Sequence, residues 1–509
     1  MTAISERNPD PTSAPIWGLS ESATALLGRP ESLIGGAWET GQGDRRLVAV
    51  NPATAAHLAE VPAASVAQAE RAIAAARRGF DAGPWSRVTP RERSDLLLGL
   101  ADLMDRHRQE LVEIVVTEVG CPVTLTRAMQ VGMPIDNVRW AAEMALKGPQ
   151  GGYEEALAPH FGTPPSSSLL RRLPVGVVGG ITGYNFPINS VVWKLGPALA
   201  AGCTIVIKPS ERTSLSTLAL IRLAHQAGFP EGVVNLLLGE GDVGQLLSSH
   251  PDIDMTMFTG SLAVGQQIMK AAARTTKKLV LELGGKSAAI VMPGADPDEV
   301  AGSSILRWAR NAGQGCGATT RTLVPAGEYD RFAEASRSFI ATLKTGDPWD
   351  EATDVGPLIR DEQRAFVEGH VKKALAEGGV IEAGGGRPDL PGYFVNPTVI
   401  GRVSNEQMIC REELFGPVGT ILPYETLDEA VMMANDSQYG LNAAVYGPTA
   451  DAIALSRRLR TGAVSVNGGG WMRPEGPWGG FRQSGFGREM GDDGFREFFQ
   501  VQHVQWPVR

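Results

Sequence analysis

Residues 175–291 limit the fold more than any other part of the chain. Short apolar runs recur there: Val175-Gly-Val-Val, Thr204-Ile-Val-Ile, Val233-Val-Asn-Leu-Leu-Leu and Met255-Thr-Met-Phe. Helix-forming stretches separate them at 191–201, 214–227, 243–249 and 265–273. Strands that are apolar throughout and alternate with helices call for a buried parallel sheet with right-handed crossovers. A second α/β stretch is expected over 285–400 and 418–466. Residues 66–146 read as mainly helical, since Val66-Ala-Gln-Ala-Glu-Arg-Ala-Ile-Ala-Ala-Ala is rich in strong helix formers. Residues 148–168 are rich in Gly, Pro and Ser, the texture of a break or a projecting arm. Val501-Gln-His-Val-Gln-Trp-Pro-Val reads as a strand.

At roughly 150 residues per domain, 509 residues suggest about three lobes. With 43% hydrophobic and 20% charged residues the chain can bury real cores, which excludes a disordered protein. The net charge of −9 argues against a nucleic-acid partner. Anionic ligands stay possible, because helix N-termini hold phosphate on acidic proteins. The four cysteines (Cys121, Cys203, Cys316 and Cys410) include no C-x-x-C pair. Neither a zinc ribbon nor a disulfide scaffold fits, no metal is expected, and a reducing, cytoplasmic setting is. The start of the chain lacks the apolar core of a secretory signal. The 21 uncharged residues 173–193 are long enough to cross a bilayer. Pro174, Pro187 and four glycines within them point instead to a buried strand, loop and helix, so no membrane partner is expected.

Three motifs carry reactive groups. In Asn311-Ala-Gly-Gln-Gly-Cys316-Gly-Ala-Thr-Thr-Arg321, Gly315 and Gly317 leave the thiol sterically open, unlike a cysteine packed among large apolar neighbours. In Leu281-Glu-Leu-Gly-Gly-Lys-Ser287, a glutamate between leucines at a strand end is partly desolvated, which raises its pKa toward that of a general base. A surface glutamate on a turn is the bland alternative. In Gly179-Gly-Ile-Thr-Gly-Tyr-Asn185-Phe-Pro, the Asn185 amide can donate to a developing oxyanion, or simply form a turn.

Three further segments suit a nucleotide. Gly239-Glu-Gly-Asp-Val-Gly244 matches G-x-G-x-x-G, but no convincing ribose-binding acid follows it. Phe258-Thr-Gly-Ser-Leu-Ala-Val-Gly265 joins a strand to a helix, where amides and Ser261 can meet a pyrophosphate. Lys208-Pro-Ser-Glu-Arg-Thr213 ends a strand with a Lys–Glu pair suited to ribose hydroxyls.

Together these blocks resemble the NAD(P)-dependent, non-acylating aldehyde dehydrogenase superfamily. The resemblance runs from Leu33-Ile-Gly-Gly-Ala-Trp through Glu412-Glu-Leu-Phe-Gly-Pro-Val418, Tyr439-Gly-Leu-Asn442 and Val466-Asn467 to Gly479-Gly-Phe-Arg-Gln-Ser-Gly485 and Gly485-Phe-Gly-Arg-Glu489. It implies that Cys316 attacks the aldehyde carbon, that Asn185 and the Cys316 N–H hold the oxyanion, and that hydride passes to the nicotinamide. Glu282 then activates water to hydrolyse the thioester. It implies NAD as cofactor, with NADP possible, held through Ile181, Thr182, Tyr184, Lys208, Ser210, Glu211, Gly241, Gly260, Ser261, Val264, Leu283, Glu413 and Phe415. Lys194 and Glu489 match residues near the pocket, in a water relay or a structural role.

The chain departs from the family pattern at Gly183-Tyr184 where Pro-Trp is common, at Arg482 where lysine is common, and at Trp478 where phenylalanine is usual. The pocket is expected from Phe186, Trp193, Gly315, Gly317, Trp471 and Trp478. Small residues at sulfur with aromatic walls suit a bulky hydrophobic, terpenoid or aromatic aldehyde. No arginine is assigned to a substrate carboxylate, although Arg473 lies in the right region. The alternatives are a CoA-acylating dehydrogenase, which typically lacks the glutamate matched by Glu282, a cysteine hydrolase, and a non-catalytic NAD-binding relative. All seven histidines lie outside the motif blocks, which weakens the hydrolase reading.

The implied architecture is an N-terminal extension (1–24), a Rossmann-like parallel-sheet NAD domain (25–146 and 174–284) and an α/β catalytic domain (285–484). A small β oligomerisation arm (147–173) and a C-terminal oligomerisation tail (485–509) complete it. A homodimer or homotetramer is expected, because an arm carrying strands must pair with something.

Overall fold

The computed structural model describes residues 18–469 and 472–508. It is a mixed α/β structure with two mainly parallel sheets, as the alternating pattern requires. The first sheet has eight strands, in the order Gly485–Phe486, Lys278–Glu282, Met255–Thr259, Val177–Ile181, Thr204–Lys208, Val234–Leu236, Ser32–Ile34 and Ala37–Glu39. Its five central strands run parallel. Val177–Ile181 and Thr204–Lys208 are buried along their whole length, as strands covered on both faces must be.

The crossover helices are Pro187–Ala201, Ser214–Gln226, Gly241–Ser249 and Leu262–Ala272. Three of them start earlier than the sequence periodicity suggests. Pro187 occupies the first turn of its helix, where proline's missing N–H is harmless, and Ser261 caps Leu262–Ala272 by accepting the Val264 N–H. The uncharged stretch 173–193 spans the strand Val177–Ile181, a loop and the start of the helix Pro187–Ala201. Among the described residues, no helix is long and apolar enough to cross a membrane.

The second sheet has seven strands: Val380–Gly384, Thr398–Gly401, Val418–Tyr424, Arg321–Pro325, Ala288–Val291, Asn442–Tyr446 and Ala463–Val466. All its pairings are parallel except the first. Glu154–Ala156, Ser166–Pro174 and Phe499–Pro507 form a separate antiparallel sheet. In it, all nine residues of Ser166–Pro174 pair with Phe499–Pro507.

Two details depart from the sequence reading. Residues 1–17 lie outside the described residues, but Glu21–Leu27 is a helix, capped by Ser20, that buries Ala23, Leu26 and Leu27. The expected extension (1–24) therefore ends inside a core helix. Gly485–Phe486 joins the edge of the first sheet, opposite Leu281 and Glu282, and not the three-stranded sheet.

Candidate active site

The reactive side chains gather at the carboxyl ends of the first sheet's strands and ahead of the amino ends of the second sheet's strands. Glu282 is the last residue of the strand Lys278–Glu282, with its carbonyl accepting the Gly260 N–H at 3.0 Å. Its side chain is 3% exposed, and neither carboxylate oxygen has a hydrogen-bond partner. Burial, then the charge of Glu489, push its carboxyl well above the ordinary range, against the pull of Lys194. This is the desolvated glutamate the sequence suggested, and the surface-turn alternative fails.

Cys316 follows a tight turn, Arg310–Gly313, in which Asn311, Ala312 and Gly313 all adopt left-handed backbone (φ 52°, 53° and 73°). The thiol is half-buried, whereas Cys121, Cys203 and Cys410 are buried. Burial raises the Cys316 pKa, and the charges of Glu282, Glu413 and Glu489 raise it further. The resting group is therefore a thiol at neutral pH. Gly315 is open, as expected: a Cβ built there meets nothing within 4 Å. Gly317 is not. A Cβ at Gly317 would stand 2.7 Å from the Trp478 ring, so its glycine admits the indole and does not free the thiol.

Asn185 precedes the helix Pro187–Ala201 and is buried. Its Nδ2 donates to the Gln314 carbonyl at 2.9 Å, two residues before the thiol. The Gly183-Tyr184 departure does not loosen this loop. Gly183 N–H donates to Ser190 Oγ at 3.4 Å, and the Tyr184 ring meets Phe415 edge-on, with centroids 5.7 Å apart.

A cavity of about 350 Å³ joins Asn185 and Cys316, while Glu282, outside its lining, acts on the thiol through its charge. Asn185, Phe186, Trp193, Gly315, Cys316, Gly317 and Trp478 all line it; Trp471 lies outside the described residues. The sequence reading missed Leu125, Met129 and Met133, which close one wall. They flank or sit within a wide π-type turn, Thr126–Gly132, an irregularity that often marks functional helices but has no signature in the residue pattern. Arg307, Arg310 and Arg473 also border the cavity, and only Arg473 had been noticed. Arg307 and Arg310 lie on a helical stretch and its end, where arginine normally reads as surface.

The nucleotide candidates line the carboxyl ends of the first sheet's strands, where α/β folds bind ligands. Ile181 ends one strand and Lys208 the next. Lys208 Nζ donates to the Pro209 carbonyl at 2.8 Å and lies 3.6 Å from Glu211 Oε2. Burial pulls the Lys208 ammonium down while Glu211 pulls it up; burial raises Glu211, and Lys208, a backbone N–H and Arg212 together more than offset this. Ser210 accepts the Arg212 N–H at 3.3 Å. Gly241 faces open space, and Val264 is exposed. Gly260 is packed on the Phe258 ring, and Thr182 and Leu283 are buried. Thr182 Oγ1 has no partner, an orphan that a ligand hydroxyl or amide can satisfy. At the other end, Glu413 Oε1 accepts the Gly285 N–H at 3.0 Å, and burial pushes its carboxyl up to about 7. A Cβ at Gly284 would lie 2.0 Å from Glu413 Oε2, so only glycine allows this approach. A Lys–Glu pair near the open Gly241 and, beyond the strand ends, a half-buried acid with an aromatic pair suit the two halves of a dinucleotide.

Lys194 and Glu489 lie behind Glu282. Lys194 Nζ donates to Thr259 Oγ1 at 2.6 Å, Glu489 Oε1 at 2.7 Å and the Ser190 carbonyl at 3.1 Å.

Known proteins resemble this chain over nearly its whole length. Residues 38–504 match the model of the aldehyde dehydrogenase family. The chain is 38% identical to a betaine aldehyde dehydrogenase of Bacillus subtilis, over 92% of this chain and 96% of that protein. It is 37% identical to a geranial dehydrogenase of Castellaniella defragrans, over 92% of this chain and 97% of the other. Among solved structures, an aldehyde dehydrogenase C variant from Pseudomonas syringae, in complex with NAD+ and octanal, superposes with a TM-score of 0.88 at 36% identity. That likeness covers 93% of this chain and 96% of the other.

Proposed function

The chain belongs to the aldehyde dehydrogenase family, and on that premise we propose that it oxidises an aldehyde to the carboxylic acid with NAD, through a covalent cysteine intermediate. One observation carries the reading. A half-buried thiol and a buried asparagine amide share one cavity, beside a glutamate whose two oxygens have no other partner.

Cys316 Sγ bonds to the aldehyde carbon, and the thiol proton passes to Glu282, the unpartnered carboxylate whose charge acts on the sulfur. The carbonyl oxygen becomes an alkoxide, for which Asn185 Nδ2 and the Cys316 N–H are the donors. NAD held in the adjoining site would supply the hydride acceptor for that carbon. What remains on Cys316 is a thioester. Glu282 first gives the thiol's proton up to solvent; it then takes a proton from water, the hydroxide adds to the thioester carbon, and the carbon–sulfur bond breaks to release the acid as Glu282 returns its proton to the Cys316 sulfur. The raised pKa of Glu282 is what a base working near neutral pH requires.

Lys208, Ser210 and Glu211 would hold the adenine ribose, with Gly241 beside the adenine. Gly260, Ser261 and Val264 would hold the pyrophosphate, and Ile181, Thr182, Tyr184, Leu283, Glu413 and Phe415 the nicotinamide half. The Glu211 carboxylate disfavours a 2′-phosphate and so favours NAD over NADP.

The apolar cavity walls, Leu125, Met129, Met133, Phe186, Trp193 and Trp478, support a bulky hydrophobic, terpenoid or aromatic aldehyde. A second reading rests on the three bordering arginines: an aldehyde with an apolar body and an anionic far end. We assign the NAD domain to 21–146 and 174–284, beginning with the core helix Glu21–Leu27, and the catalytic domain to 285–484. The exposed Leu173, Val501 and Trp506 on the three-stranded sheet support a homodimer or homotetramer. Four free cysteines support a reducing, cytoplasmic setting.

The test is NADH formation by purified protein with short, terpenoid, aromatic and carboxylate-bearing aldehydes, beside Cys316→Ala, with and without CoA. Turnover that needs Cys316 and ignores CoA is the expected result. Activity surviving Cys316→Ala, or requiring CoA, sinks the mechanism.

A further inference from the structure

Gln314 is completely buried and spends its side chain on its own surroundings. Its Oε1 accepts the Ile359 N–H at 3.0 Å, and its Nε2 donates to the Asn311 carbonyl at 3.2 Å and to the Pro357 carbonyl at 3.5 Å. Its backbone N–H also donates to the Asn311 carbonyl, at 3.0 Å. The Gln314 peptide is thus held on both sides.

Its carbonyl faces Asn185 and accepts that Nδ2 at 2.9 Å, with Asn311 Nδ2 a second donor at 3.4 Å. The Asn185 backbone is gripped too. Its carbonyl accepts Gln130 Nε2 at 2.9 Å and Asn311 Nδ2 at 3.0 Å. The turn that presents the Gln314 carbonyl runs through three consecutive left-handed residues. At the third, Gly313, a Cβ would lie 2.1 Å from the Gly416 backbone. Such backbone persists only where its surroundings hold it.

A primary amide is planar and carries two N–H bonds at a fixed angle. With one committed to the Gln314 carbonyl, the direction of the other is set. We propose that Gln314 is a positioning residue for the oxyanion. Its carboxamide locks its own peptide, and that carbonyl aims the free N–H of Asn185 at the oxygen developing on the Cys316-bound carbon. The inference rests on the roles of Asn185 and Cys316 proposed above.

The experiment is a double-mutant cycle on the purified enzyme, following the pre-steady-state formation of NADH. Asn185→Ala slows this step about 100-fold, the effect of losing one oxyanion donor. Gln314→Met, which keeps the side chain's length and removes its hydrogen bonds, slows it about tenfold with KM unchanged, since the lost interaction exists only in the transition state. The double variant is no slower than Asn185→Ala alone, because an amide that is gone cannot be misaimed. Asn311→Gly retains the left-handed turn, runs through the same cycle, and serves if Gln314→Met does not fold. Losses that multiply, or a Gln314→Met enzyme with the unaltered rate, overturn the inference and leave the oxidation standing. An Asn185→Ala enzyme as fast as the parent removes the oxyanion role, and the inference with it.

Discussion

Lys194 Nζ lies 2.7 Å from Glu489 Oε1, and the two side chains are 0% and 1% exposed. Glu489 Oε2 has no partner, and Glu282 feels Glu489 and Lys194 with opposite effect. One buried ammonium therefore balances two buried carboxylates.

Lys194→Met leaves both carboxylates buried without their shared ammonium, with only the weaker pull of Arg488 remaining on Glu282. Breaking a buried pair in this way costs about 3–5 kcal/mol. Denaturant unfolding should show that loss, and Lys194→Met/Glu489→Gln should recover part of it. With Lys194 gone, the carboxyl of Glu282 rises further, so the pH at which deacylation reaches half its maximum moves upward. A single variant with parental stability and an unmoved pH profile rejects the counter-ion role.

Alkylation reads the thiol directly. Burial and three nearby carboxylates raise Cys316, so its thiolate fraction grows about tenfold per pH unit through neutrality. Iodoacetamide labelling of the cofactor-free enzyme, followed by mass spectrometry at Cys316, should be slow at pH 7 and still climbing at pH 9. A plateau below pH 8 contradicts this.

Glu282→Gln keeps the shape and removes the base. A general base contributes about 100- to 10,000-fold, so steady-state turnover should fall by that order while a burst of about one NADH per site survives. In the parent enzyme, deacylation should rise with pH over a range above that of an ordinary carboxyl, because Glu282 acts when deprotonated and its pKa is raised. That limb should vanish in the variant. Unchanged turnover excludes the assignment.

Glu211→Ser removes the carboxylate that would face a 2′-phosphate. The kcat/KM ratio for NADP over NAD should increase by about tenfold or more, on the order of 1.4 kcal/mol. An unchanged ratio would place the ribose elsewhere.

Gly317→Ala puts a methyl group 2.7 Å from the Trp478 ring. The indole must shift toward the cavity, at a cost of about 1–3 kcal/mol in stability. Aromatic aldehydes should lose more kcat/KM than short aliphatic ones. Equal losses would mean that Trp478 does not shape the pocket.

The sequence shows most clearly what depends on local patterning. The parallel strands at 204–208 and 255–259 are legible because all their residues but the terminal Lys208 are apolar or small, and the helix Ser214–Gln226 because its residues favour helix. Cys316, Glu282 and Asn185 stand out because glycines or strand ends surround them. The π-type turn Thr126–Gly132 was not legible, since its residues would equally suit an α-helix and tertiary packing chooses between the two. Gly317 was misread because a glycine beside a nucleophile looks alike whether it frees the sulfur or admits an indole ring from 161 residues away (478 − 317). Arg307 and Arg310 were passed over because nothing local distinguishes a cavity arginine from a solvated one.

The strand Ser166–Pro174 waits long for its main partner during synthesis. Phe499–Pro507 lies more than three hundred residues downstream, and no other described strand but the three-residue Glu154–Ala156 pairs with it. At roughly 5–20 residues per second, a ribosome leaves that nine-residue edge open for about 15–65 s. For this interval it can template aggregation, and the three arginine and serine positions at Arg171, Arg172 and Ser168 are its available gatekeepers. The last strand to emerge thus closes the hazard that one of the earlier strands opens.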